Sequence, residues 1–471
     1  MATDPILFGL EALILGYFLT LNTIYLVFTG IAFFDLLAYR RRWPERDDRP
    51  LIADSAYPPI SILVPAHNEA ETVVENVRSL LELGYPEFEI VLINDGSTDD
   101  SLERLRRSFG LAAVPPSHQQ RLPSLPVRRT WVSARHPNLT VLDKERGGKS
   151  DALNAGINAA RFPLFCTIDA DSLLEPDALL RIARAFAEDD RVVAAGGVIR
   201  VLNEAPVERG RVVRAAAPRR PLLLCQAQEY VRGFLTGRSS LARMNALLII
   251  AGAFGLFRKE ATVRAGGFGC DTVCEDMELI ARLHRRAREE RSGARIVFLP
   301  DPVCWTQVPS DWASLFRQRD RWQRGLLQSL WKHRCMFLDP RYGAVGLVAM
   351  PYYALFEAVG PLIEIGGYLF LLGLALTGRL DPTFALLFFA LAVGYGLLLS
   401  VAALNLDDLL FKRYGRTRDL ALMLLGSLLE FFGYRQLLAA VRAAGFVTVF
   451  LRGRSWGGQP TRTSLVGEKS A

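Results

Sequence analysis

The chain has 471 residues and a formal net charge of +7; half of its residues are hydrophobic and 22% are charged. Such a length holds one large domain or two ordinary ones, and a mean hydropathy of +0.18 beside so many charges points to a soluble domain joined to membrane helices rather than to either alone. The excess of basic charge is modest and gathers beside apolar segments, which suits a membrane surface better than nucleic acid, for which no motif stands out. Cys166, Cys225, Cys270, Cys274, Cys304 and Cys335 all lie mid-chain at spacings that demand no disulfide, as in a reducing cytosolic domain. Cys270 and Cys274 with His284 lack the second ligand pair of a structural zinc site.

Residues 1–40 are expected to form an N-terminal transmembrane helix, since Ile6 to Leu37 is almost wholly apolar. Its length and the early Asp4 argue against a signal peptide. Arg40, Arg41, Arg42, Arg46 and Arg49 follow, which places the N-terminus outside and the next domain in the cytoplasm. A linker over 41–57 leads into a cytoplasmic domain over 58–310. There Ile60 to Pro65 reads as a strand feeding a helix near Asn68, with Asn68 and Glu71 as a capping box. EIVLIND is the next strand, GSTDDS a turn, and a helix follows from about Asp99. Residues 110–137, rich in Pro, Arg and Ser and without period, read as a surface insertion. NLTVLD, the helix GGKSDALNAGINAA and the strand PLFCTIDAD complete the rhythm of a doubly wound, mostly parallel α/β sheet.

The run LFCTIDAD delivers Asp169 and Asp171 just past a buried strand, where ligands collect in open α/β sheets. Two carboxylates there can hold a hard divalent cation, or they can form a plain turn before the helix that starts after Glu175-Pro176-Asp177. GGKS is no phosphate loop, because Asp143 stands where that motif needs Gly; Lys149 at a helix start either meets an anion or is solvated. Ala251 to Gly255 is small enough for close approach of a ligand. Glu275 and Asp276, in the first turn of an amphipathic helix, serve either the helix dipole or general-base catalysis, and the residues alone leave both open.

Over 311–342 an interfacial helix region is expected, with Trp312, Leu315, Phe316, Trp322, Leu326 and Leu330 on one face and basic residues around the rest. Residues 343–451 hold C-terminal transmembrane helices. Gly343 to Leu376 carries kink points at Pro351 and Pro361, Pro382 to Leu404 is a second span, and Leu420 to Phe450 either spans or bends back at the interface. A basic tail covers 452–471.

SILVPAHNE, INDGSTD, GGKSDALN, the Asp-x-Asp at Asp169 to Asp171, Cys274-Glu275-Asp276 and QRDRW at Gln318 to Trp322 occur in one order along most of the chain. In this the chain resembles the membrane-bound, processive family 2 glycosyltransferases, the group of cellulose, hyaluronan and poly-N-acetylglucosamine synthases. The resemblance implies a GT-A fold that binds a UDP-sugar, with Asp95 on the uracil, Glu69 nearby and Lys149 and Arg321 towards the diphosphate. It implies Mg²⁺ or Mn²⁺ held by Asp171 and Asp169, and Asp276 as the catalytic base of an inverting transfer. It also implies an acceptor sugar held by Trp322, Gln318 and Glu275.

Cys274 and Gln307 stand where many members have Thr and Glu. The implied function is extension of an exopolysaccharide from UDP-N-acetylglucosamine or UDP-glucose at the cell membrane, coupled to export, with membrane lipid around it and an export subunit as a conceivable partner. Single-sugar transfer to a glycolipid or polyprenyl phosphate acceptor is the alternative enzyme. Nucleotide-sugar binding without turnover is the alternative outside catalysis.

Overall fold

The computed structural model describes residues 5–43, 57–116, 119–208 and 210–452. Arg46, Arg49, most of the linker and Arg454 in the basic tail lie outside them. The strands in chain order are β1 (Ile60–Ala66), β2 (Phe88–Asp95), β3 (Leu111–Val114), β4 (Val127–Ser133), β5 (Leu139–Lys144), β6 (Leu164–Ile168), β7 (Ser172–Leu174), β8 (Val192–Val201), β9 (Val207–Glu208), β10 (Arg211–Val212), β11 (Phe254–Arg258) and β12 (Arg295–Thr306).

Ten of these form one sheet in the order β3-β4-β5-β2-β1-β6-β11-β8-β12-β7, and β9 and β10 make a separate hairpin. β5, β2, β1 and β6 run parallel, and β11 inserts antiparallel between β6 and β8. Parallel pairing needs crossovers that cover both faces, which is why β6, LFCTI, is apolar and buried at every position. Because these strands are parallel, Asp95, Lys144 and Asp169 all emerge at the same edge of the sheet. The fold is the α/β GT-A-like sheet that the motif order implies.

Four helices, Pro5–Arg42, Val345–Leu376, Pro382–Phe411 and Thr417–Leu451, are long and apolar enough to cross a membrane. The first is tied to the domain through Tyr39, which donates to Asp301 at the irregularity within β12. The last is broken at Phe432 and Gly433, whose backbone leaves the helical region. Its second half packs on the helix Trp312–Lys332: Arg442 donates to Gln323 at 3.1 Å and Thr448 donates to Asp320. At the other end Asp419 pairs with Arg214 at 3.0 Å. Both ends of the stretch therefore touch the domain, and the apolar run bends back on it.

Three expectations are corrected. Asn68 starts no helix; it lies at φ +58°, and its Oδ1 accepts from the backbone of Thr98 at 2.8 Å, tying the loop after β1 to the GST turn after β2. The helix begins at Val73 instead, so the capping box does not form. Within 110–137 lie β3 and β4, which extend the sheet antiparallel to β5. Their arginines hid the strand pattern: Trp131 faces inward beneath the guanidinium of Arg106, 4.5 Å from its ring centre, while Arg128 and Arg129 face out.

The helix Trp312–Lys332 is likewise no simple surface cylinder. Arg319 and Arg324, each 2% exposed, are buried in ion pairs with Glu229 at 2.7 Å and Asp320 at 3.0 Å, while Trp312, Arg317, Trp322 and Trp331 are exposed. Periodicity counts an arginine as outward; a carboxylate on a neighbouring element reverses it.

Gly325 lets this helix pass against the start of the helix Glu275–Glu289. A Cβ there would lie 2.3 Å from Cys274 Sγ and 2.5 Å from Cys274 Cβ. Gly325→Ala is expected to destabilise the protein by about 1–3 kcal/mol, the usual cost of overpacking, seen as a lower unfolding temperature in lipid. An unchanged melting temperature would mean that the two helices separate freely.

Candidate active site

The residues that emerge at the carboxyl edge of the sheet converge on Gly252. Lys149, first residue of the helix Lys149–Ala159, places Nζ 2.5 Å from Asp169 Oδ1 and 3.7 Å from Glu275 Oε1. Gly252 N–H donates to Asp276 Oδ2 at 3.2 Å. A Cβ on Gly252 would sit 3.1 Å from Lys149 Nζ, 3.6 Å from Asp276 Oδ2 and 3.7 Å from Glu275 Oε1. The missing side chain is thus what lets the Ala251–Gly255 segment approach the charged centre. Asn76 holds the Asp-x-Asp turn from behind, donating to Ser172 O at 2.6 Å.

Charge in this centre is set by burial. Burial, and then the negative charge of Asp169, push the Asp171 carboxyl up to about 7. Burial also raises Glu275, with Lys149 opposing and Asp276 reinforcing the shift. Burial alone would lower the Lys149 ammonium, but Asp169 and Glu275 outweigh it and hold the group protonated. One lysine therefore stands among four carboxyl groups, and one of these is half-protonated near neutral pH.

A divalent cation fits this donor set. Among the described residues no group of three or more His, Cys, Asp or Glu side chains could hold a metal by itself. Two carboxylates, one of them raised by burial beside the other, match a cation that completes its shell with phosphate oxygens and water.

Asp95 and Glu69 are placed differently. Asp95 is 4% exposed, and its carboxylate accepts from Lys144 Nζ at 2.7 Å, Gly147 N at 2.9 Å and Gly148 N at 2.7 Å. It anchors the turn that presents Lys149. Lys144, itself fully buried, also pairs with Asp151 at 2.6 Å. Glu69 is buried behind the same edge and accepts from Thr72 Oγ1 at 3.1 Å.

The QRDRW segment lies beside the Cys274–Asp276 turn, and Arg321 is near enough to act on the charges of both Cys274 and Glu275. Trp322 is 38% exposed, with the buried Arg319 guanidinium 4.1 Å from its ring centre. Gln318 Oε1 is buried and has no hydrogen-bond partner. Sequence reasoning missed Arg319, which it spread among the lipid-facing arginines; its place between Gln318 and Trp322 was the available signal. It also missed that Gly252 and Gly325 set the closest approaches.

The raised Asp171 carboxyl carries a pH dependence. A carboxyl held above its unfolded value stabilises the fold fully at low pH and loses that contribution as pH rises through about 7. That loss begins at the unfolded value of about 4, so in metal-free buffer Asp171→Asn is expected to melt like wild type near about pH 4 and a few °C above it near about pH 8. Equal melting at both would show that Asp171 ionises without penalty.

Comparison with known proteins agrees with this geometry. The description "Glycosyl transferase family 2" matches residues 61–112, and "Glycosyltransferase like family 2" matches residues 128–325. A poly-beta-1,6-N-acetyl-D-glucosamine synthase of Staphylococcus epidermidis is 30% identical over 278 residues, 58% of this chain and 56% of that protein. One of Staphylococcus aureus is 28% identical over 266 residues, 56% and 54%. The matched stretch thus spans about half of these relatives. Among solved structures, a mannosyltransferase from Pyrobaculum calidifontis in complex with GDP-Man and Mn²⁺ superposes with a TM-score of 0.50 at 20% identity. That match covers 92% of this chain and 99% of the other, and it shows the fold. Residues 61–325 therefore form a family 2 glycosyltransferase domain, carried on a chain with helices able to cross a membrane.

Proposed function

We propose that the protein transfers a sugar from a UDP-sugar, UDP-N-acetylglucosamine or UDP-glucose, to the end of a growing exopolysaccharide, with inversion at C1 and at the membrane. The observation that carries this reading is the convergence of Lys149, Glu275 and Asp276 on Gly252, with Asp169 of the Asp-x-Asp turn paired to Lys149 at 2.5 Å. The names of the staphylococcal relatives support a polysaccharide product.

In this reading the acceptor sugar stacks on Trp322, and Gln318 Oε1, which has no hydrogen-bond partner among the described residues, accepts a hydrogen bond from one of its hydroxyls. Glu275 lines the same side. Asp276, oriented by Gly252 N–H, accepts the proton of the attacking hydroxyl as its oxygen bonds C1 and the C1–O bond to the diphosphate breaks. Lys149 exchanges Asp169 for the donor diphosphate, and Arg321 meets the charge that gathers on it. Asp171 and Asp169 would hold Mg²⁺ or Mn²⁺, which supplies Lewis-acid stabilisation of the leaving group. Asp95 and Glu69 act on the donor end, Asp95 through the turn that carries Lys149.

Asp276→Asn is expected to lower turnover by about 10²–10⁴-fold while leaving UDP binding unchanged. The assay is UDP release in lipid from UDP-glucose, UDP-N-acetylglucosamine and UDP-galactose in turn, with Mg²⁺ or Mn²⁺. Normal turnover in the mutant would remove Asp276 from the role of base. A long polymer confirms extension, whereas a lipid carrying one sugar assigns the enzyme to single transfer.

Arg319 acts through Trp322 as a positioning residue. Arg319→Ala is expected to lower turnover about tenfold, the worth of a buried cation–π contact, with UDP affinity unchanged and partial recovery in Arg319→Lys. Loss of UDP binding in parallel would mean general disruption instead.

A further inference from the structure

Away from the catalytic edge, the loop after β8 and the start of the helix Thr417–Leu429 border a cavity of about 370 Å³ lined by Arg214, Arg219, Arg416, Arg418, Glu204 and Asp419. Its two acids are already engaged. Asp419 pairs with Arg214 at 3.0 Å; Glu204 pairs with Arg220 at 3.4 Å and accepts from Arg219 N at 2.6 Å. The guanidinium groups of Arg219, Arg416 and Arg418 have no hydrogen-bond or ion-pair partner among the described residues. Arg416 is the N-cap of the helix, and no side chain caps that end. Three exposed guanidinium forks with no partner among the described residues and the positive end of a 13-residue helix thus border one half-open cavity, a setting that suits an anion with several acceptor oxygens.

Position narrows the ligand. The apolar helix Pro382–Phe411 ends just before this point, and the next apolar stretch begins at Thr417. The loop between them is fixed to the domain by Arg413, which donates to Pro300 O at 3.1 Å and Asp301 O at 3.2 Å. Leu422, about one turn into the helix, closes the cavity on its apolar side. The cavity therefore lies where the apolar helices meet the domain, the level of lipid headgroups.

We propose that this cavity binds the phosphate of an anionic ligand, and that a phospholipid headgroup is the source its position fits. Such a ligand ties the loop after β8 to the helix Thr417–Leu429. The β9–β10 hairpin in that loop touches β7, the strand that follows Asp171 directly, so occupancy steadies the metal-binding turn from a distance. Neither the site nor its test depends on the proposed sugar chemistry.

The full-length protein in nanodiscs of phosphatidylcholine, with and without phosphatidylglycerol, provides the test. Wild type should retain phosphatidylglycerol over phosphatidylcholine in native mass spectrometry and melt higher in the anionic discs. The combined Arg219→Gln, Arg416→Gln and Arg418→Gln variant should lose on the order of 10²-fold in phosphatidylglycerol affinity, since each basic group near an anionic surface contributes about tenfold or less. Its melting temperature in phosphatidylcholine alone should match wild type; if it does not, Arg418→Gln alone carries the comparison, with a loss of about tenfold or less. A second arm adds glycerol phosphate to phosphatidylcholine discs: stabilisation of wild type but not of the variant identifies a soluble phosphate as the source. A variant that keeps the wild-type preference for phosphatidylglycerol, with no response of either protein to glycerol phosphate, overturns the proposal.

Discussion

The arrangement of the domain depends on the ion pair between Lys149 and Asp169. Four carboxyl groups gathered at one edge of a sheet repel one another in a medium where water cannot screen them, and without a cation the edge would splay. Lys149 supplies a cation there, at 2.5 Å from one carboxylate and 3.7 Å from another. Burial and the neighbouring Asp169 still raise the Asp171 carboxyl. Under the proposed function, a site so poised would bind a divalent ion and a diphosphate together more readily than either alone, because each offsets the charge that the other brings.

Holding a lysine in that position requires a second, deeper charge pair. Asp95 takes three donors, from Lys144 and the backbone of Gly147 and Gly148, and so fixes the two-glycine turn before Lys149. Gly148 lies at φ +88°, a conformation that a side chain rarely adopts. The buried Lys144 in turn pairs with Asp151 on the helix that follows. The pair specifies the geometry of the turn, and any contact of Asp95 with a nucleobase would share a carboxylate that already has this work.

Much of this was legible in the residues. Apolar runs bounded by charge located β1, β2, β5 and β6, and the LFCTIDAD run placed Asp169 and Asp171 just past a buried strand. What the residues concealed was pairing between distant segments. Nothing local shows that Asn68 is claimed by the Thr98 backbone rather than by a helix start, or that Arg319 turns inward to meet Glu229. Trp131 sat in a stretch whose arginines and prolines masked a two-residue alternation, so the edge ribbon of β3 and β4 was invisible. In each case a partner far along the chain outweighed the local preference, a thing periodicity cannot register.

The same distant pairing links the catalytic edge to the apolar helices. Arg319 touches the Trp322 ring on one side and Glu229 on the other, and Glu229 accepts from Tyr434 at 2.8 Å. Tyr434 follows the break at Phe432 and Gly433, where the last apolar stretch turns back. The indole proposed to meet the acceptor sugar is thus backed by a buried cation, a carboxylate and a phenol, the last of them rooted in that stretch. Because a buried guanidinium left without its carboxylate is costly, the four groups move together or not at all. A shift of the broken helix therefore reaches Trp322 directly, and the platform beside Asp276 is set by the same element that lies among the apolar helices.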